Sequence, residues 1–120
     1  MLSDRLIGHF KNPCNVGELP PPAVSADASN PACGDLMRLS ARFEDGAVAE
    51  ALYQARGCAA SIAAGSALTV WMTGKTAAEL AALSPAVIEE ALGGLSPESR
   101  HAAVLCVDAV GALLRSLSSK

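Results

Sequence analysis

Residues 35–58 read DLMRLSARFEDGAVAEALYQARGC, and this stretch decides the fold. Met37, Leu39, Ala41 and Phe43 are apolar, with Arg38, Ser40 and Arg42 alternating between them. Period-two alternation marks a strand with one buried face. Glu44-Asp45-Gly46 supplies the residue types that a hairpin turn requires. A return strand is expected over Val48–Arg56, with Ala51, Tyr53 and Ala55 on one face. Gly57 ends it, and Cys58 begins a helix that runs to Thr73.

No charged residue lies between Arg56 and Lys75, and the segment is built from Ala, Ser, Gly and Thr rather than Leu and Ile. It reads as a buried helix packed closely on the sheet, not as a membrane span. Upstream, Ser3 can cap a short helix with Leu6, Ile7 and Phe10 on one face, which Pro13 stops. Gly17 and Pro20-Pro21-Pro22 mark a loop, and Ala23–Ser29 reads as an extended edge segment. Asn30-Pro31 and Gly34 form a tight polar loop around Cys33. Downstream, Gly74 stops the uncharged helix, and Thr76 with Glu79 fits a capping box for a helix to Ala82. Ser84-Pro85 starts another helix, ended by Gly93-Gly94. Ser96-Pro97 repeats the start signal for a last helix, striped by Val104, Val107, Val110, Leu114 and Leu117. The sum is an α+β fold, a small antiparallel sheet packed against several helices, in one domain over residues 1–120.

The composition excludes whole classes. At 120 residues and 51% hydrophobic, the chain can bury a core and is not disordered. Its net charge of −3, nine scattered Lys and Arg and 3% aromatic residues argue against nucleic acid. MLSDRLIGHF at the N-terminus lacks a long apolar run and carries Asp4, so no secretory leader is expected. A cytoplasmic setting with reduced thiols follows, and the four cysteines form no C-x-x-C pair.

Cys33, Asp35, Cys58, His101 and Cys106 come from three separate places that sheet–helix packing could bring to one end of the domain. A thiolate at a helix N-terminus is stabilised by unpaired N–H groups and the macrodipole, which suits Cys58. Two thiolates, a carboxylate and an imidazole would form a tetrahedral Zn²⁺ set or a partial shell for iron. The bland alternative is that each Cys is a small buried apolar residue, His101 a helix cap and Asp35 a strand-end residue.

Asn12-Pro13-Cys14-Asn15-Val16-Gly17, Asn30-Pro31-Ala32-Cys33-Gly34-Asp35 and Gly57-Cys58 with Ser61-Ile62-Ala63 resemble the U-type iron–sulfur cluster assembly scaffolds (IscU, SufU and the N-terminal domain of NifU). Thr69, Trp71, Gly74-Lys75, His101, Leu105, Asp108 and Ala109 continue the match in order over nearly the whole chain. The resemblance implies a scaffold rather than a turnover enzyme. It would take sulfur as a persulfide from a cysteine desulfurase, gather iron, build a transient [2Fe–2S] cluster and pass it to apo-proteins. It further implies Zn²⁺ in the same site on isolation, and a monomer or weak dimer. By position, Cys33, Asp35, Cys58 and His101 match the family's ligands.

Two positions depart from that pattern. Many members carry Cys directly after the matching His, where this chain has Ala102; Cys106 lies one turn later on the same helix face. Whether His101 or Cys106 completes the site stays open, as does the residue that accepts sulfur. Leu95-Ser96-Pro97-Glu98-Ser99 stands where classical IscU members carry a Leu-Pro-Pro-Val-Lys stretch read by an Hsp70-type chaperone, so that partnership is not expected. Cys14 is expected to play a structural role. Two other functions fit some of the same residues. One is a zinc-bound SufU-like sulfur acceptor that activates a desulfurase. The other is a cysteine hydrolase using Cys58 with His101.

Overall fold

The computed structural model describes residues 3–30 and 34–118. Cys33 therefore lies outside the described residues. Helix α1 spans Asp4–Lys11, capped by Ser3, whose hydroxyl accepts the Leu6 N–H and also contacts the Leu92 carbonyl. Three strands, β1 (Val24–Asn30), β2 (Asp35–Glu44) and β3 (Ala47–Arg56), form an antiparallel sheet in that order. Helices α2 (Ala59–Met72), α3 (Ala77–Ala81), α4 (Pro85–Ala91) and α5 (His101–Ser118) follow. The α+β expectation is met.

The hairpin forms as the alternation demands. Met37, Leu39 and Ala41 are buried, and Asp45 and Gly46 take the positive φ of a tight two-residue turn. The sequence reading does not anticipate the register shift after Arg42. Arg42 faces Glu50 and Phe43 faces Val48, so Ala49 is an extra residue on β3. That bulge flips the face, which is why both Val48 and Ala51 are buried although three residues apart.

Between α1 and β1 the chain straps the sheet. Asn15–Gly17 pair with β3: the Gly17 N–H donates to the Tyr53 carbonyl, and the Tyr53 N–H to that of Asn15. The Leu19 N–H then reaches the Ser40 hydroxyl, which buries Ser40 on the face away from the helices.

Helix α2 packs on β3 and α5 on β1 and β2. Small residues let α2 come close. A Cβ on Gly65 would sit 2.3 Å from the Tyr53 ring, and the Tyr53 hydroxyl donates to the Ile62 carbonyl at 2.6 Å. Burial pushes the Tyr53 phenol up to about 12. Further along α2, the buried Ser66 hydroxyl accepts the Cys14 N–H and meets His9 Nδ1, tying α1 and the strap to the helix. The capping box of Thr76 and Glu79 is present, and Gly93 and Gly94 end α4 with positive φ.

Two expectations at the chain's ends need correction. Phe10 is exposed; only Leu6 of its trio is fully buried. Ser96-Pro97 opens a 3₁₀ turn over Pro97–Ser99, and the last helix begins afresh at His101. Its buried face is Ala102, Leu105, Cys106, Ala109, Val110 and Leu113; of the expected stripe, Val110 is thus buried, Val107, Leu114 and Leu117 are half-buried against the core, and Val104 is exposed. Small side chains at 102, 106 and 109 let α5 lie close over the sheet and share its inner face with Val110.

Candidate metal centre

Three backbone ends meet at one edge of the fold. Asp35 is the first residue of β2, opposite Asn30 of β1, and the Gly34 N–H donates to the Asn30 carbonyl to close the hairpin end. One residue further, Leu36 faces Arg56, the last residue of β3, so Gly57 and Cys58 emerge beside Asp35. Cys58 is the N-cap of α2 in extended conformation, and its side chain makes no capping bond. His101 is the first residue of α5. Two helix N-termini thus point their positive ends at a pocket holding a thiol and a carboxylate.

Gly57 is required on two counts. Its φ is +132°, and a Cβ there would lie 2.0 Å from Asp35 Oδ1. The glycine makes room for the carboxylate, a sharper reason than a free turn.

One donor atom each from Asp35, Cys58 and His101 lies within 4.8 Å of the others. His101 Nε2 is 2.9 Å from Asp35 Oδ2 and 3.4 Å from Cys58 Sγ, and Cys58 Sγ is 3.5 Å from Asp35 Oδ2. The Cys58 N–H donates to Asp35 Oδ1 at 3.3 Å, and the buried Ser61 hydroxyl donates to Oδ2 at 2.5 Å. Asp35 is 3% exposed. Burial alone pushes its carboxyl up, but hydrogen bonds from Ser61, from the Cys58 thiol and N–H, and from His101 outweigh that and hold it below the ordinary carboxylate value. Cys58 is exposed, so the trio opens to solvent at its thiol.

The structure therefore joins three of the five candidates. Cys106 is elsewhere: it is fully buried in the hydrophobic core, and burial pushes its thiol far up. Cys14 contributes its backbone N–H to the fold while its thiol stays exposed. Ser61 escaped the sequence reading as a site residue. Its signal was a hydroxyl three residues after Cys58, on the same side of a helix start.

The geometry also bears on hydrolase chemistry. In a Cys–His–Asp arrangement the carboxylate orients the ring nitrogen opposite the thiol. Here Asp35 and Cys58 both face Nε2 of His101, so they compete for one nitrogen. A convergent thiol, imidazole and carboxylate around one point is instead a metal-ligand constellation.

Among the described residues, no helix is long and apolar enough to cross a membrane. The family described as NifU-like N terminal domain matches residues 1–120. The chain is 38% identical to the iron–sulfur cluster assembly scaffold protein IscU of Azotobacter vinelandii, over 98% of this chain and 94% of that protein. It is 37% identical to the scaffold protein IscU 1 of Archaeoglobus fulgidus, over 92% of this chain and 72% of that protein. The N-terminal NifU-like structure from Brucella abortus shares the fold, with a TM-score of 0.75 and 22% identity over 98% of this chain and 94% of that one. With residues 1–120 matched throughout and both IscU proteins aligned over most of their length, the chain belongs to the NifU-like N-terminal domain family of U-type iron–sulfur scaffolds.

Proposed function

We propose that this protein is a scaffold on which [2Fe–2S] clusters are assembled and from which they pass to apo-proteins, with sulfur supplied by a cysteine desulfurase. The convergence of Asp35, Cys58 and His101 on one open point carries this reading. Iron and sulfide are cargo here, and the donor set suits cargo. A thiolate and an imidazole hold iron, whereas a carboxylate is a harder, weaker ligand that releases readily. Cys33, two residues before Asp35 in sequence, supplies the second thiolate.

His101 completes the set in this reading, and Cys106 stays in the core. Ligation requires Cys58 to lose its proton, and His101 Nε2 lies 3.4 Å from the thiol to receive it. Cys58 is also exposed, so a desulfurase can reach its thiol. Its thiolate attacks the terminal sulfur of the enzyme's persulfide; the new S–S bond forms as the old one breaks, and the desulfurase leaves as a thiolate.

The test is anaerobic incubation with ferrous iron, cysteine and a desulfurase, followed by an apo-ferredoxin. The expected result is a coloured species with equal iron and sulfide that transfers to the acceptor. A colourless protein holding one tight Zn²⁺ that resists iron and sulfide would contradict the scaffold reading and favour the zinc-bound sulfur acceptor.

A further inference from the structure

We infer that Ser61 is the positioning residue that aims Asp35 at the metal. This deepens the proposed function and rests on Asp35 being a ligand there. Ser61 is the third residue of α2, fully buried, and its hydroxyl donates to Asp35 Oδ2 at 2.5 Å. That is the shortest contact the carboxylate makes: His101 Nε2 is at 2.9 Å, the Cys58 N–H at 3.3 Å and the Cys58 thiol at 3.5 Å.

Two of the three other contacts come from side chains that change when metal enters. Cys58 and His101 turn their donor atoms to the ion, which removes both. The Cys58 N–H approaches Oδ1 at a long distance and fixes only one end of the group. Ser61 is the one side chain among these contacts that keeps its partner through the exchange, because it is no ligand and its helix is packed into the core. The hydroxyl thus sets the rotation of the carboxylate and leaves Oδ1 facing the side of Gly57, where no Cβ intrudes. It also has one proton and two neighbours, since Cys58 Sγ lies 3.6 Å from Ser61 Oγ. While Ser61 donates to Asp35, it cannot donate to the Cys58 thiolate, so the thiolate keeps its electron density for the metal. Hydrogen-bond partners of ligands characteristically tune metal affinity in this way.

The test is anaerobic Co²⁺ titration of the full chain, read by the visible ligand-field spectrum, in a double-mutant cycle. Ser61→Ala should weaken Co²⁺ binding about 10- to 100-fold and alter the spectrum. In an Asp35→Ala background the same change should add less than about twofold, because its target is gone. Ala favours the helix, and melting of the apo variants checks that each is folded. Ser61→Thr keeps the hydroxyl and should restore affinity and spectrum. Unchanged binding in Ser61→Ala, additive losses in the double variant, or failed rescue by a folded Ser61→Thr would each overturn the role of Ser61. If Asp35→Ala itself leaves affinity and spectrum untouched, the metal reading of Asp35 fails and takes this inference with it.

Discussion

The start of α2 and the second turn of α5 each carry a cysteine near a helix N-terminus, yet the two thiols live in different worlds. Cys58 is a cap in extended backbone, outside the helix proper, exposed and within reach of a carboxylate and an imidazole. Cys106 is inside the helix, on the face pressed against the core, with its thiol pushed up by burial. Ligand character follows from where the backbone leaves the packed face. Nearness in sequence to His101 does not confer it.

The largest effect expected from this contrast is on metal binding. Cys58→Ser should lose more affinity than the roughly 10–100-fold that removing an outer-shell partner costs, because a ligand itself is gone. Cys106→Ser should bind Zn²⁺ or Co²⁺ as the unmodified protein does. Equal losses in a competition assay would break the distinction.

Next comes the backbone that holds Cys58 in place. Gly57→Ala forces a side chain into positive φ and into Asp35 Oδ1, and should cost roughly 2–6 kcal/mol in chemical denaturation. A near-neutral result would mean that the carboxylate does not occupy that space.

Cys106→Ser should lower apo stability by about 1–3 kcal/mol, since it puts a hydroxyl in an apolar setting. Measured beside the binding data, this separates the structural thiol from the ligand thiol: stability falls and affinity does not.

The smallest effect is acid sensitivity. The Asp35 carboxyl is held below 3.8, its ordinary value, so the folded protein takes up that proton less readily than the unfolded chain. Its contribution is complete above pH 3.8 and lost as pH falls through the lower folded value. In apo Asp35→Asn, that part of the fall in the denaturation midpoint should disappear.

Much of this contrast was visible in the sequence, but only on one side. The hairpin over residues 35–56 and the break at Gly57 are local signals, and together they place Asp35 beside Cys58. The inner face of α5 was not legible because residues 102–107 are apolar all the way round. Periodicity then selects no face there: the expected stripe put Val104 inside, yet it is exposed, while Val110 is buried as expected. The close approach of α5 to the sheet, which favours Ala102, Cys106 and Ala109, is a tertiary fact. Ser61 was hidden for a related reason: its partner is 26 residues away, and hydroxyls in an Ala-rich helix look like spacing. The bulge at Ala49 likewise has no marker in the alternation.

X-ray absorption at the zinc edge of the Zn²⁺-loaded protein distinguishes a site built on Cys58 from one that includes Cys106. Two sulfurs, from Cys33 and Cys58, are expected at about 2.3 Å and two nitrogen or oxygen donors at about 2.0–2.2 Å, with the same shell in Cys106→Ser. A third sulfur that disappears in Cys106→Ser would contradict that assignment.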